Sequence, residues 1–195
     1  MPDWSSLFAA HLDSLFANDS AAAIRERYAW VDDYSARARD ILSPASLDSR
    51  PPPEIYAALD SLNVPKCQIR MTNLGRMNQA EDVVHAIREL VSKPGDFAVK
   101  YKAGKIPQAG VVTLTQILCL VQPHRFAIRN APFTKALAKQ VPFYNARALD
   151  ELDYESYLDI CRELARVMEE KLKPFRLDEW ARDHRFLLLY AILVK

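Results

Sequence analysis

Twelve prolines fall mostly between stretches of helical periodicity, while four glycines serve the whole chain of 195 residues. Proline opens or stops a helix and has no N–H to give to a central strand. Glycine supplies the positive-φ residues on which tight β-hairpins depend. A chain so poor in glycine, punctuated by proline, is directed towards helices joined by short connections. Half of its residues are hydrophobic and 26% are charged, which is ordinary globular composition with ample material for a core. The expected fold class is all-α, a compact multi-helix domain.

The apolar spacing places the helices. Trp4, Leu7, Phe8, Leu12, Leu15 and Phe16 recur at intervals of three and four over residues 3–17, with Asp3 or Ser5 as N-cap. A second helix covers residues 20–42, led by Asp19 or Ser20 and stopped by Pro44. Residues 43–53, with four prolines, read as a loop or hinge, and residues 54–62 as a short helix ending at Asn63-Val64-Pro65. Residues 66–76 are ambiguous between extended and helical forms. Residues 78–92 put Ala80, Val83, Val84, Ile87, Leu90 and Val91 on one face before the stop Lys93-Pro94-Gly95. Residues 97–101 read as a short strand or as the lead-in to a turn. Helices over 111–121, 131–139, 153–172 and 177–193, the last capped by Asp178, bring the total to eight or nine with no sheet. Three parts are expected: an acidic helical part at 1–43, a Pro-rich linker and short helix at 44–65, and a helical domain at 66–195, with which residues 1–65 can pack.

Charge is segregated along the chain. The net charge of +1 conceals −5 over residues 1–65, +9 over 66–147 and −3 over 148–195. Between Asp96 and Asp150 there is no acidic residue, yet the stretch holds Lys100, Lys102, Lys105, Arg125, Arg129, Lys135, Lys139 and Arg147. Such a field suits an anionic partner. Cys67, Cys119 and Cys161 never pair as C-x-x-C, so neither a disulfide framework nor a zinc site is indicated. His11, His85, His124 and His184 lack ligand spacing. There is no Walker A loop, G-x-G-x-x-G, H-E-x-x-H or G-x-S-x-G, so no enzyme active site and no cofactor are expected. The start lacks a basic n-region, and the longest apolar run, Phe186–Val194, is too short to span a bilayer. The expectation is a soluble cytoplasmic protein without a membrane partner.

Inside the acid-free stretch lies Ile106-Pro107-Gln108-Ala109-Gly110-Val111, a tight turn followed at once by an apolar helical run. In a helix-hairpin-helix, backbone N–H groups of such a turn point at a phosphate and a nearby cation supplies charge. Lys105 precedes the turn, Gly110 lies in it, and Thr113 and Thr115 open the following helix. A Pro-Gly loop between two core helices is the alternative reading of the same residues.

The run from Ile106 to Leu118, then Pro123–Asn130 and Lys135-Ala136-Leu137, resembles a helix-hairpin-helix-like module found near the N-terminus of McrB-like AAA+ restriction ATPases. Asp153, Tyr154, Tyr157, Leu158 and Leu164, and then Asp183, Phe186 and Leu187, are similar to its closing helices, so the resemblance covers about residues 97–195. Two positions depart from the pattern: Gln108 stands where the first hairpin glycine is usual, and Ala127 where a proline is usual. In the DNA glycosylases of the wider superfamily a catalytic Asp lies at the position that Arg129 holds here, which argues against glycosylase chemistry. Asn130 matches the restriction-type pattern.

The resemblance implies a non-catalytic DNA-binding or target-recognition module of a restriction or anti-phage system, with duplex DNA preferred to single strands. A AAA+ ATPase on the same or another chain would be its partner. Lys102, Lys105 and the turn Gln108, Ala109, Gly110, Val111 with Thr113 are the expected phosphate contacts, extended by Arg125, Arg129 and Lys135. The rival expectation is a protein–protein adaptor or oligomerisation module. A glycosylase-like enzyme ranks last.

Overall fold

Helices are the only regular elements among the residues that the computed structural model describes, which are 4–62, 79–103 and 109–194. The ambiguous residues 66–76, Cys67, Lys105 and Gln108 lie outside them.

The N-terminal part contributes α1 (Trp4–Phe16), α2 (Ala21–Arg27), α3 (Trp30–Ile41), α4 (Pro44–Ser49) and α5 (Pro52–Asp60). Helix α1 buries Phe8, Leu12 and Phe16 of the expected stripe, with Trp4 and Leu15 partly buried, while Leu7 is 46% exposed. The single helix expected over 20–42 is divided. Ser20 caps α2 by accepting from the Ala23 N–H at 3.1 Å, and the chain leaves α2 at Tyr28 before α3 starts. The expected loop at 43–53 contains a helix as well. Ser43 caps it and Pro44 occupies its first turn, which is the arrangement that proline favours.

Beyond residue 79 come α6 (Ala80–Ser92), α7 (Phe97–Ala103), α8 (Val111–Val121), α9 (Ala131–Gln140), α10 (Ala146–Glu151) and α11 (Tyr154–Leu172). A 3-10 turn at Lys173–Phe175 leads to α12 (Asp178–Asp183) and α13 (Arg185–Leu193). Residues 97–103 form neither strand nor turn lead-in. Phe97 and Tyr101, four apart, put their rings 5.6 Å from each other on one helical face. The helix expected over 177–193 breaks at His184, and Asp178 lies inside α12, whose N-cap is Leu177.

Two helices are apolar almost all round and form the centre. Residues 114–120 of α8 and 186–192 of α13 are entirely buried. Helix α3 packs on both, while α11 packs on α1, α12 and α13. Helices α4 and α5 meet α6, so the N-terminal helices share the hydrophobic core of the rest. Polar ties fix the same contacts. The buried Ser35 hydroxyl donates to the Leu120 carbonyl at 3.0 Å, joining α3 to α8. Asp32 on α3 accepts from Trp180 Nε1 at 2.9 Å and lies 3.2 Å from both Arg25 and His184 Nε2. No helix among the described residues is long and apolar enough to cross a membrane.

Candidate nucleic-acid interface

The acid-free stretch begins with the stop before α7. Gly95 has φ +127°, a conformation side chains rarely adopt, and a Cβ there would meet Val99 at 3.0 Å. Gly110 is different. Its φ of −76° suits any residue, and a Cβ would meet nothing within 4 Å. Gly110 is the N-cap of α8, is exposed, and gives the helix no side-chain cap. Behind it Ala109 is buried, and Val111 and Thr113 are half-buried. The N-cap residue thus brings no side chain to the start of this eleven-residue helix.

The cations of the stretch fall into two groups. Lys100, Arg125 and Arg129 are committed to backbone carbonyls. Lys100 is 1% exposed, and its ammonium reaches the carbonyl oxygens of Leu90 at 3.0 Å and Lys93 at 2.5 Å, which closes the C-terminus of α6. Burial pushes its pKa down, and the nearby Arg125 acts in the same direction. Arg125 donates to the Gly95 carbonyl at 2.9 Å and lies over the Phe126 ring. Arg129 donates to the carbonyls of Asp150 at 2.5 Å and Leu152 at 2.7 Å, closing the end of α10, and lies over the Tyr157 ring. Arg129 thus serves as a structural clamp.

The second group faces solvent. Lys102 on α7 and Lys135 and Lys139 on α9 are exposed, the last two one turn apart on the face opposite Phe133, Thr134 and Leu137. Arg147 is exposed and pairs with Glu151 at 2.8 Å. Among the described residues it is the only cation of residues 97–149 paired with a carboxylate. Elsewhere pairing is the rule: Arg25, Arg27, Arg37 and Arg50 before the stretch, and Arg162, Arg166, Arg182 and Arg185 after it, all have carboxylate partners.

An irregular segment, residues 126–130, connects α8 to α9 through the core. Its polar groups are satisfied by side chains from other elements. Tyr154 and Tyr157 donate to the carbonyls of Ala127 and Ile128 at 2.7 and 3.0 Å, and Thr115 Oγ1 accepts from the Arg129 N–H at 3.1 Å. Asn130 then caps α9 by accepting from Phe133 N–H at 2.9 Å, and its amide nitrogen donates to the Tyr190 hydroxyl at 3.3 Å. Thr115 and Asn130 therefore hold the backbone that carries Arg129.

Sequence reasoning saw in His124 only a histidine without ligand spacing. Two clefts of about 230 and 390 Å³ flank it, one reaching Arg125 and Arg162, the other Arg39 and Asp183. Burial lowers the His124 pKa; Arg125, Arg185 and Arg39 lower it further, while Asp183 opposes them. These residues come from four separate helices and connections, so no local spacing could reveal the group. Among the described residues no cluster of three or more His, Cys, Asp or Glu side chains is arranged to hold a metal ion.

Comparison of the chain with family models, with curated proteins and with solved structures finds no match in any of the three.

Proposed function

We propose that the protein is a non-catalytic DNA-binding module that grips the phosphate backbone through the acid-free surface. The observation that carries this reading is the unneutralised charge of residues 97–149. Most described cations elsewhere in the chain sit beside carboxylates, with Arg39, Lys173 and Arg176 as exceptions, whereas within residues 97–149 Lys102, Lys135 and Lys139 all face solvent with no carboxylate partner among the described residues. Like charges held without counter-charge repel one another, and a polyanion relieves that repulsion while releasing its counterions. Lys102 and the start of α8 at Gly110 are the primary contacts on this reading, with Lys135 extending them. Arg125 and Arg129 support the surface by fixing backbone, in place of the direct contacts their position in the sequence indicated. The likeness of residues 97–195 to restriction-ATPase modules extends the reading to service of a AAA+ ATPase on the same or another chain.

Fluorescence anisotropy of a labelled duplex, titrated with the whole chain at two salt concentrations, tests this. Affinity should fall steeply with salt, and Lys102→Glu should weaken binding on every sequence alike. Absence of binding at low salt would overturn the reading.

A protein–protein adaptor is the second reading, favoured by Val99 and Val112, which are 44% and 46% exposed next to the same basic elements. Light scattering that shows a stable oligomer indifferent to DNA would favour it.

A further inference from the structure

The turn between α9 and α10 presents an aromatic ring to solvent. Phe143 is 57% exposed, more than any other large hydrophobic side chain among the described residues. A single exposed apolar residue is ordinary on a protein surface. What sets Phe143 apart is its mounting and its neighbours. Val141, two residues before it, is 2% exposed and ends α9 through a 3.0 Å bond from its N–H to the Leu137 carbonyl. The Tyr144 N–H returns to the Val141 carbonyl at 3.0 Å, and Tyr144 packs against the core. Asn145 caps α10 by accepting from the Ala148 N–H at 2.8 Å. The backbone on both sides of the ring is therefore pinned, and ordering the ring on a ligand costs only two side-chain torsions.

Within six residues of Phe143 along the chain, every charged residue is basic. Lys139 lies four residues before Phe143 and Arg147 four residues after it, both exposed, and Lys135 lies one helical turn further back. The first acids beyond it are Asp150 and Glu151, both exposed, and Arg147 engages Glu151. A rigid, exposed aromatic ring between cations matches the requirements of a nucleic-acid strand whose bases are free to stack and whose phosphates follow the cations. Paired bases in a duplex are already stacked on each other and present only their edges. An acidic peptide would satisfy the cations but offers the ring no comparable planar partner.

We infer that Phe143, with Lys135, Lys139 and Arg147, forms a stacking platform for single-stranded DNA. The inference rests on the DNA-binding reading and names the form of DNA that this part of the surface takes. It departs from the duplex expected from the sequence.

The test compares the whole chain with its Phe143→Ala and Phe143→Trp variants on two labelled probes at one salt concentration. One is an oligothymidylate of about 12 nucleotides, near the site size of small single-strand binders. The other is a duplex of equal length. Phe143→Ala should lower affinity for the single strand by about tenfold and leave duplex affinity unchanged. Phe143→Trp should keep single-strand affinity and show quenching of indole fluorescence as the strand binds. Equal single-strand affinity of wild type and Phe143→Ala overturns the platform, as does an equal loss on both probes. Salt-sensitive duplex binding that ignores Phe143 would retain the DNA-binding reading and remove only the platform. Failure of the wild-type chain to bind either probe overturns both.

Discussion

The Nζ of Lys100 lies 3.0 Å from the carbonyl oxygen of Leu90, so a cation from the most basic part of the chain serves as the buried cap of the preceding helix. Lys102, two residues on, is on the other side of α7 and exposed. The two lysines therefore separate stability from binding. Lys100→Met should cost about 2 kcal/mol in urea denaturation, because buried carbonyls at the end of α6 lose a charged donor. Lys102→Ala should cost less than about 0.5 kcal/mol. The order should reverse in DNA affinity measured on folded protein.

Arg129 reaches two carbonyls at the end of α10 through one terminal nitrogen, Nη2, while its planar group lies over the Tyr157 ring. Lysine is a point donor on a shorter side chain and lacks the planar group that stacks there. Arg129→Lys should destabilise the fold by about 1–2 kcal/mol, and Arg129→Ala by about 2–3 kcal/mol, in chemical denaturation. Affinity per folded molecule should change little. A large affinity loss with unchanged stability would return Arg129 to the phosphate contacts.

The buried phenols of Tyr154 and Tyr157 bind the irregular segment, and burial holds both pKa values above the ordinary 10.0. Unfolded tyrosines release their protons as pH rises past that value, while the folded ones retain them. The unfolded state then binds fewer protons, so this contribution to stability is complete below pH 10 and is lost progressively above it. Urea midpoints between about pH 8 and pH 11 should therefore fall at the alkaline end. Tyr157→Phe should make that alkaline loss shallower and should cost about 1–2 kcal/mol at neutral pH, since the Ile128 carbonyl loses its donor.

Asp32 joins α3 to the C-terminal helices through Trp180 and His184 and also pairs with Arg25. Asp32→Ala leaves the half-buried indole N–H without its acceptor. A loss of about 1–2 kcal/mol is expected, and Trp180 fluorescence should report the change directly in the native baseline.

How far these relationships could be read beforehand depended on their range. The helix over Val111–Val121 was legible because apolar residues fill it and prolines at 107 and 123 bracket it. The all-α class followed from the same periodicity. Phe97, Val99 and Tyr101 alternate as a strand would, and the i,i+4 contact of Phe97 with Tyr101 was the competing signal that prevailed. Helices α4 and α10 have six residues each, too few for a periodic stripe, and neither is expected from the sequence: residues 43–53 read as a loop, and the spacing places no helix at 146–151. Charge was legible in amount but not in destination. The run of cations around the turn showed an acid-free field, but the carbonyls that take up Lys100, Arg125 and Arg129 come into reach only through tertiary packing. Long-range partners leave no spacing pattern.

Gly110 needs no special backbone conformation and has open space where a Cβ would stand. Gly110→Ala should therefore change stability by less than about 1 kcal/mol, an added Cβ and a poorer N-cap acting in opposite directions. If a phosphate oxygen closes on this helix start, the methyl group should still weaken binding in the same anisotropy titration. Unchanged affinity would move the phosphate contact away from Gly110.

The salt dependence of duplex affinity, measured for wild type and Lys102→Glu, bears most directly on the acid-free surface. The account predicts a steep linear fall of log affinity with log salt, and a slope shallower by about one phosphate contact in the variant. A wild-type affinity independent of salt, or identical slopes for the two proteins, would contradict it.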